Sequence, residues 1–345
     1  DEPVNQLADR IHRMILEGDS RPKLLKATVY EFVGVGDKDV YNSGIFQAKV
    51  HPGDERETTI IAGRVEDRTS ESSSKVIFFQ QGSDGKWHPI KVAHVFENSQ
   101  DPSVKKIGDK FVVSVVKVED RGEKLDNGLP RLAYYTDFFQ FETLEDLKSA
   151  EPIARGPLWM KDIRLLELKD GRILIMTRPQ GENYGKNYGP GKIAYLIVKN
   201  FGEFVELAEK GKEESTLAKM MEKGKVLEGM FHDDQCGGTD AIYLLENGNV
   251  GVLGHMARFN EEGYREYSPI TFEFDPETGE VSSLKVIGHW ESLAQLLDQD
   301  IPIKVLDPKK PLDLAKVWIG TDLVFSKGRY FLFGGVRDSR TVVVE

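Results

Sequence analysis

Charged residues stand at the ends of apolar runs in several separate stretches of this chain. Ala62-Gly63-Arg64-Val65-Glu66 puts Arg64 and Glu66 on one face of a strand, because strand side chains alternate with a period of two. Lys161 and Asp162 open an apolar run that continues through 163–168, Arg178 follows 173–177 directly, and His255 follows 251–254. Gln100-Asp101-Pro102-Ser103 lies in a connection between β runs, where the Asp101 carboxyl could serve as a general acid. Taken singly, each is an ordinary strand-end charge, and Asp before Pro is an ordinary turn initiator. Four cationic candidates (Arg64, Lys161, Arg178 and His255) in four separate β units argue more strongly. Strands that run toward a common axis would bring such positions together.

The remaining signals exclude more than they suggest. Tyr41, Trp87, Trp159 and Tyr267 suit stacking on a sugar ring and equally suit core packing. His12, His51, His88, His94, His232, His255 and His289 are scattered without metal-ligand spacing, so no metal is expected. There is no Walker loop, dinucleotide fingerprint, HExxH or GxSxG, and no cofactor is expected.

The elements that must position these residues are short β runs separated by turn residues. Turn signals recur between paired runs: Ser83-Asp84-Gly85-Lys86, Gly108-Asp109-Lys110, Asp170-Gly171-Arg172, Asn247-Gly248-Asn249 and Lys327-Gly328-Arg329. Asp-Gly and Asn-Gly favour hairpins because both central residues tolerate positive φ. This repetition predicts an all-β fold, a five-bladed β-propeller. An N-terminal helical cap is expected over 1–25 and a single propeller domain over 26–345, with a helical insertion at about 204–223. Segments 26–33 and 341–345 are expected to share one blade and close the ring.

Composition narrows the partners. The chain has 345 residues, 39% hydrophobic, with a formal net charge of −11 and no basic run, which argues against nucleic acid or an anionic membrane. The single cysteine, Cys236, cannot form an internal disulfide, so a cytoplasmic setting is expected. No stretch of 18 apolar residues offers a transmembrane helix, and the first 18 residues are amphipathic rather than a signal peptide as written. The oligomeric state is left open.

Several runs together resemble a known family. Ile61-Ala62-Gly63-Arg64-Val65-Glu66, Gln100-Asp101-Pro102-Ser103-Val104, Ile107-Gly108-Asp109-Lys110-Phe111, Lys161-Asp162, Arg178-Pro179 and Gly254-His255 occur in the order seen in glycoside hydrolase family 130. With Asp39-Val40-Tyr41-Asn42, the chain from 39 to 338 resembles more closely the mannosyltransferase–phosphorylase family, glycosyltransferase family 108. The resemblance implies an inverting β-mannoside phosphorylase or mannosyltransferase using phosphate or mannose 1-phosphate, on β-1,2-linked manno-oligosaccharides. It implies Asp101 as general acid, and Arg64, Lys161, Arg178 and His255 at phosphate or the adjacent sugar. It also implies Asn42, Asp162 and Asp338 at the sugar, where Glu66 and Tyr267 are expected as well. Gln100 and Ser103 depart from the family's Glu-Asp-Pro-Arg. The partners expected are small-molecule sugars and phosphate. Two alternatives stand beside this reading: an inverting β-mannosidase with Glu66 or Asp67 as base, and a carbohydrate-binding propeller without turnover.

Overall fold

The computed structural model describes residues 22–345 apart from 72, 125–129, 182–188, 210–219 and 221–222. The N-terminal helix expected over 1–25 lies outside the described residues except for 22–25, which are not helical. Of the expected insertion, α1 (Phe201–Leu207) is helical, capped by Asn200, whose side chain accepts from the Glu203 N–H at 3.0 Å. A second short helix is α2 (Trp290–Ala294).

The described chain is mostly strand, arranged as successive antiparallel units. β1 (Ala27–Val29) is first in sequence but joins the last unit. β2 (Asp39–Ala48), β3 (Thr58–Glu66), β4 (Lys75–Gln81) and β5 (Trp87–Pro89) pair in order, with β6 (Phe96–Glu97) beside β4. β7 (Ser99–Ile107), β8 (Lys110–Lys124), β9 (Pro130–Phe141) and β10 (Ala154–Arg155) form the next sheet. β11 (Lys161–Glu167), β12 (Ile173–Arg178), β13 (Ala194–Val198) and β14 (Lys225–Val226) form another. β15 (Cys236–Leu244), β16 (Val250–Phe259), β17 (Arg265–Phe274) and β18 (Val281–Val286) follow. β19 (Lys316–Ser326), β20 (Arg329–Val336) and β21 (Arg340–Val344) end the chain, and β1 adds to β21 with Thr28 opposite Val343.

The first strands of these units adjoin one another in a closed order: β2 beside β7, β7 beside β11, β11 beside β15, β15 beside β19, and β19 beside β2. Apolar faces of neighbouring units meet between them. Phe78 packs in one cluster with Val113 and Phe141, Phe138 with Ile163 and Ile175, Met176 with Val252 and Phe272, and Leu253 with Trp318 and Leu332. Hairpin turns carry the expected residues, with Gly171 at φ 85° and Gly248 at φ 92°.

A second regularity sets up the site. Each of the first strands carries a register shift: between Tyr41 and Gly44, Gln100 and Ser103, Lys161 and Arg164, Thr239 and Ala241, and Gly320 and Asp322. A bulge adds an unpaired residue and turns its side chain off the pleat. Asp101 was expected in a connecting loop; it lies instead within β7, at such a bulge.

The β1–β21 ladder ties residue 28 to the chain's far end. Backbone bonds at the 26/345 and 30/341 pairs flank the 28/343 pair, which places the Thr28 N–H in the ladder. Thr28→Pro removes that donor, so a loss of about 1–3 kcal/mol is expected, read as a lower denaturant midpoint, with Thr28→Val close to wild type. Equal midpoints for the proline variant would show that this closure adds no stability.

Candidate active site

The bulges, with the β20–β21 turn, open on one solvent-connected cavity. Four residues that line it share a backbone state: Asn42 (φ 47°), Asp101 (φ 44°), Asp162 (φ 57°) and Asp338 (φ 48°) are all left-handed. That region costs most side chains roughly 1–2 kcal/mol, and Asn and Asp tolerate it best. Backbone and chemistry therefore select the same residue types here.

Arg64, on β3, reaches the cavity from below and is nearly buried. Its Nη2 donates to both Glu66 oxygens, at 2.9 and 3.1 Å, while Nη1 donates to Asp101 Oδ1 at 3.1 Å. Nη2 also meets Glu71 Oε1 at 3.4 Å. Asn42 Nδ2 donates to the same Asp101 oxygen at 2.9 Å. Burial pushes the Asp101 carboxyl up, but Arg64 and Lys161, with the bonds from Asn42 and Arg64, outweigh it and hold it far below the usual range. Asp101 is an anion in the free protein.

Glu66 does not line the cavity, contrary to its expected place at the sugar. It has no exposed surface, and besides Arg64 its carboxylate takes Tyr41, Ser74 and the fully buried Lys304. Burial opposes its ionisation, and Arg64 and Lys304 more than restore it, so its acidity is above normal. Every lone pair is occupied, which leaves Glu66 to position Arg64 rather than to touch a ligand. Asp67, the other candidate base, is bound by Lys38 at 2.6 Å and Ser73 at 2.8 Å on the surface, outside the cavity. Tyr41 is buried beneath Arg64, 4.9 Å from ring centroid to guanidinium, and Trp87 packs on Tyr30 and Phe32. Of the four aromatics singled out, Tyr267 alone lines the cavity.

On the opposite wall, Lys161, Asp162, Arg178 and His255 come together as the sequence suggested. Arg178 Nη1 donates to Asp162 Oδ2 at 2.9 Å. His255 Nδ1 stands 3.0 Å from both oxygens of Asp240, and its ring stacks on Tyr267 with centroids 5.5 Å apart. That clamp leaves the buried His255 Nε2 without a partner among the described residues, and Arg178 Nε likewise, and both residues line the cavity. Lys161 has no ion-pair partner among the described residues, and its ammonium stands 6.0 Å from the Tyr134 ring centroid. Arg164, not singled out from sequence, also lines the cavity; among the described residues it bonds only backbone carbonyls, of Asp240 at 2.6 Å and Ile163 at 3.2 Å. Arg265 lines it too, with its charge matched by Asp313 at 2.6 Å.

Asp338 sits in the β20–β21 turn with Oδ1 buried and without a partner among the described residues. Burial pushes its carboxyl up to about 6 against the pull of Arg64, with Glu71 adding to the rise. Sequence reasoning missed Lys304, Arg164, Arg265, Asp240 and Glu71. Lys304 alone left a visible signal, a lysine inside the apolar run Ile301-Pro302-Ile303-Lys304-Val305.

The family described as "Protein of unknown function (DUF1861)" matches residues 18–342. The chain belongs to that family. Among solved structures, this DUF1861 protein is similar to a mannose phosphorylase from Leishmania mexicana determined with phosphate ion, at 24% identity and TM-score 0.74, covering 97% of this chain and 92% of that one. It is similar to a GDP-Man-dependent mannosyltransferase from the same organism, at 21% identity and TM-score 0.69, covering 97% and 94%. A β-1,2-mannobiose phosphorylase from Listeria innocua follows at 12% identity and TM-score 0.53, covering 94% and 92%. These likenesses show the fold, mostly β and propeller-like, and they agree with the family resemblance read from the motifs. No curated protein matches the chain. Among the described residues of this DUF1861 protein, no helix is long and apolar enough to cross a membrane.

Two tests follow from the charges. Lys304→Met leaves Glu66 buried with one cation fewer, and should cost about 3–5 kcal/mol in denaturant unfolding; an unchanged midpoint would show that Arg64 alone suffices. For Asp338 the native carboxyl holds its proton more tightly than the unfolded one. It therefore contributes stability that is present below the ordinary carboxylate range and lost as pH rises through about 6. Asp338→Asn is expected to unfold at higher denaturant than wild type at about pH 8, with no gain at about pH 4.

Proposed function

We propose that this protein is an inverting β-mannoside phosphorylase and mannosyltransferase that uses phosphate or mannose 1-phosphate. In this reading the successive units are the five blades of a propeller forming a single catalytic domain, and the substrates are β-1,2-linked manno-oligosaccharides. The observation that carries it is a cation-rich wall facing an ionised Asp101. Lys161, Arg164, Arg178 and His255 Nε2 line one side, and Asp101 is held by Arg64 and Asn42 on the other.

The chemistry follows from that division. A phosphorylase needs one acid–base carboxyl, because phosphate is already an anionic nucleophile and needs cations to hold it at the anomeric carbon. In the synthetic direction the acceptor hydroxyl gives its proton to Asp101 and its oxygen bonds to the anomeric carbon. The bond from that carbon to phosphate breaks on the opposite face, and the phosphate leaves with the electron pair. An aspartate already ionised is ready for this direction. In phosphorolysis the same residue returns the proton to the leaving oxygen. Asn42, Asp338 and Tyr267 are suited to hold the sugar, with the open oxygen of Asp338 as an acceptor for a hydroxyl. A hydrolase would need a second carboxylate to activate water. Glu66 and Asp67, the bases expected from sequence, stand outside the cavity, and of the carboxylates that do line it Asp162 is held by Arg178 and Asp240 by His255.

The test is incubation with mannose 1-phosphate and mannose, with GDP-mannose in a parallel reaction, while following phosphate release and β-linked oligomers. Phosphate release with mannose 1-phosphate is expected. Oligomer formed from GDP-mannose alone would replace the donor, and mannose released from β-mannosides at an unchanged rate without phosphate would replace the reaction by hydrolysis. Asp101→Asn should lower turnover by about 10²–10⁴-fold with stability nearly kept, since general acid–base catalysis contributes that much. Near wild-type turnover would remove Asp101 from the mechanism. Arg178→Ala should weaken use of phosphate roughly 10- to 150-fold, the loss of one charge-assisted contact.

A further inference from the structure

The cation-rich wall contains a carboxylate. Asp162 lies at the β11 bulge with its side chain 7% exposed, and Arg178 holds its Oδ2. On its other side is His255: a Cβ added to Gly238 would overlap Asp162 Oδ2 and stand 2.8 Å from His255 Cε1, so only glycine lets the two approach. Lys161 precedes it in the chain and Arg164 follows two residues later, so every cation of that wall surrounds this one anion. Burial raises its proton affinity, but Arg178, Lys161 and His255 prevail and keep it ionised. Asp162 Oδ1 receives no hydrogen bond among the described residues, and the residue lines the cavity.

Cations alone would hold any tetrahedral anion. A carboxylate oxygen among them changes the requirement, because an ionised carboxylate only accepts hydrogen bonds. An anion that presents a bare oxygen to it meets a like charge, whereas one that presents a hydroxyl donates to it. Near neutral pH inorganic phosphate carries at least one P–O–H in each of its forms, and arsenate likewise. Sulfate carries none, and fluorophosphate has fluorine where hydrogen phosphate has its hydroxyl.

We propose that Asp162 makes this cavity select tetrahedral anions that carry a proton, taking hydrogen phosphate, and mannose 1-phosphate as its monoanion, and rejecting sulfate. The inference rests on the phosphate reading given above. Asp162 thereby has a role at the anion, beyond the sugar contact implied by the family resemblance. Specificity of this kind comes from a repulsive element built against the wrong ligand, and a buried group left unpaired or facing a like charge discriminates strongly.

Isothermal titration of the whole protein near neutral pH, without sugar, tests it with phosphate, arsenate, sulfate and fluorophosphate. Phosphate and arsenate should bind within about tenfold of each other, and sulfate and fluorophosphate about 100-fold or more weaker. Asp162→Asn, which can donate as well as accept, should narrow the gap between phosphate and sulfate to under about tenfold. Wild-type protein that binds sulfate or fluorophosphate within about tenfold of phosphate overturns the selectivity and leaves the phosphate reading intact. Selectivity retained in Asp162→Asn assigns it elsewhere and overturns the role of this residue. No binding of any tetrahedral anion overturns both. The fluorophosphate comparison on wild-type protein decides the matter even if the variant does not fold.

Discussion

A buried carboxylate beneath the cavity, Glu66, is the interaction on which the site depends. Taking one ionised carboxylate and two cations out of water costs several kcal/mol per ion unless each is paired and hydrogen-bonded. Here Glu66 is shared by Arg64 and Lys304 and further bonded by Tyr41 and Ser74, so the cost is met within a closed set of partners. Lys304 comes from the segment between α2 and β19, so the set also fastens that connection under β3. The result at the surface is an Arg64 with no freedom to turn, and Arg64 in turn fixes the charge and orientation of Asp101.

Above that layer the cavity alternates charge sign. Arg64 lies between Glu66 and Asp101, Asp162 between Arg178 and His255, and His255 against Asp240. Several like charges cannot be brought into one half-buried space without such interleaving, because their repulsion in a low-dielectric site is large. Among the described residues Lys161 and Arg164 have no carboxylate partner, so the charge balance of that wall is incomplete there. The carboxylates differ as well. Asp101 and Asp162 are held ionised, while Asp338, short of partners, is pushed toward its neutral form, so one cavity offers oxygens of different basicity.

The means of presenting these groups is a repeated distortion of backbone. Regular β pairing would send successive side chains to the two faces of each sheet, toward the apolar layers between units. A bulge breaks the alternation once per unit, with a left-handed residue in three of them (Asn42, Asp101 and Asp162), and turns a polar side chain toward the cavity instead. The apolar clusters on either side hold the distorted segment in place, and strain of this order persists where surrounding structure over-determines it. Glycines complete the arrangement: an added Cβ at Gly335 would overlap the Asn42 amide oxygen, as one at Gly238 would overlap Asp162.

The sequence by itself determined the β character, the hairpin turns, the pairing of the chain's two ends and the residues whose order resembles a phosphorylase family. Those features are local: an apolar run followed by Asp-Gly or Asn-Gly reports its own geometry, and Arg64, Asp101, Lys161, Asp162, Arg178 and His255 stood out against apolar neighbours. The site-facing halves of β15 and β17 were not legible, because Cys236–Asp240 and Arg265–Pro269 are rich in glycine or polar groups that break the apolar pattern. Function removes the periodic signal where it acts. Tertiary structure alone decided that Glu66 supports Arg64 from below instead of meeting a ligand, that Asp101 is in a strand, and that Lys304, Arg164 and Asp240 join the site. The joining of Lys304 and Arg164 depends on which groups meet across the fold, 238 residues apart for Lys304 and Glu66 and 76 for Arg164 and Asp240, a pairing set by desolvation and Coulomb attraction in the assembled structure and by nothing local in the chain.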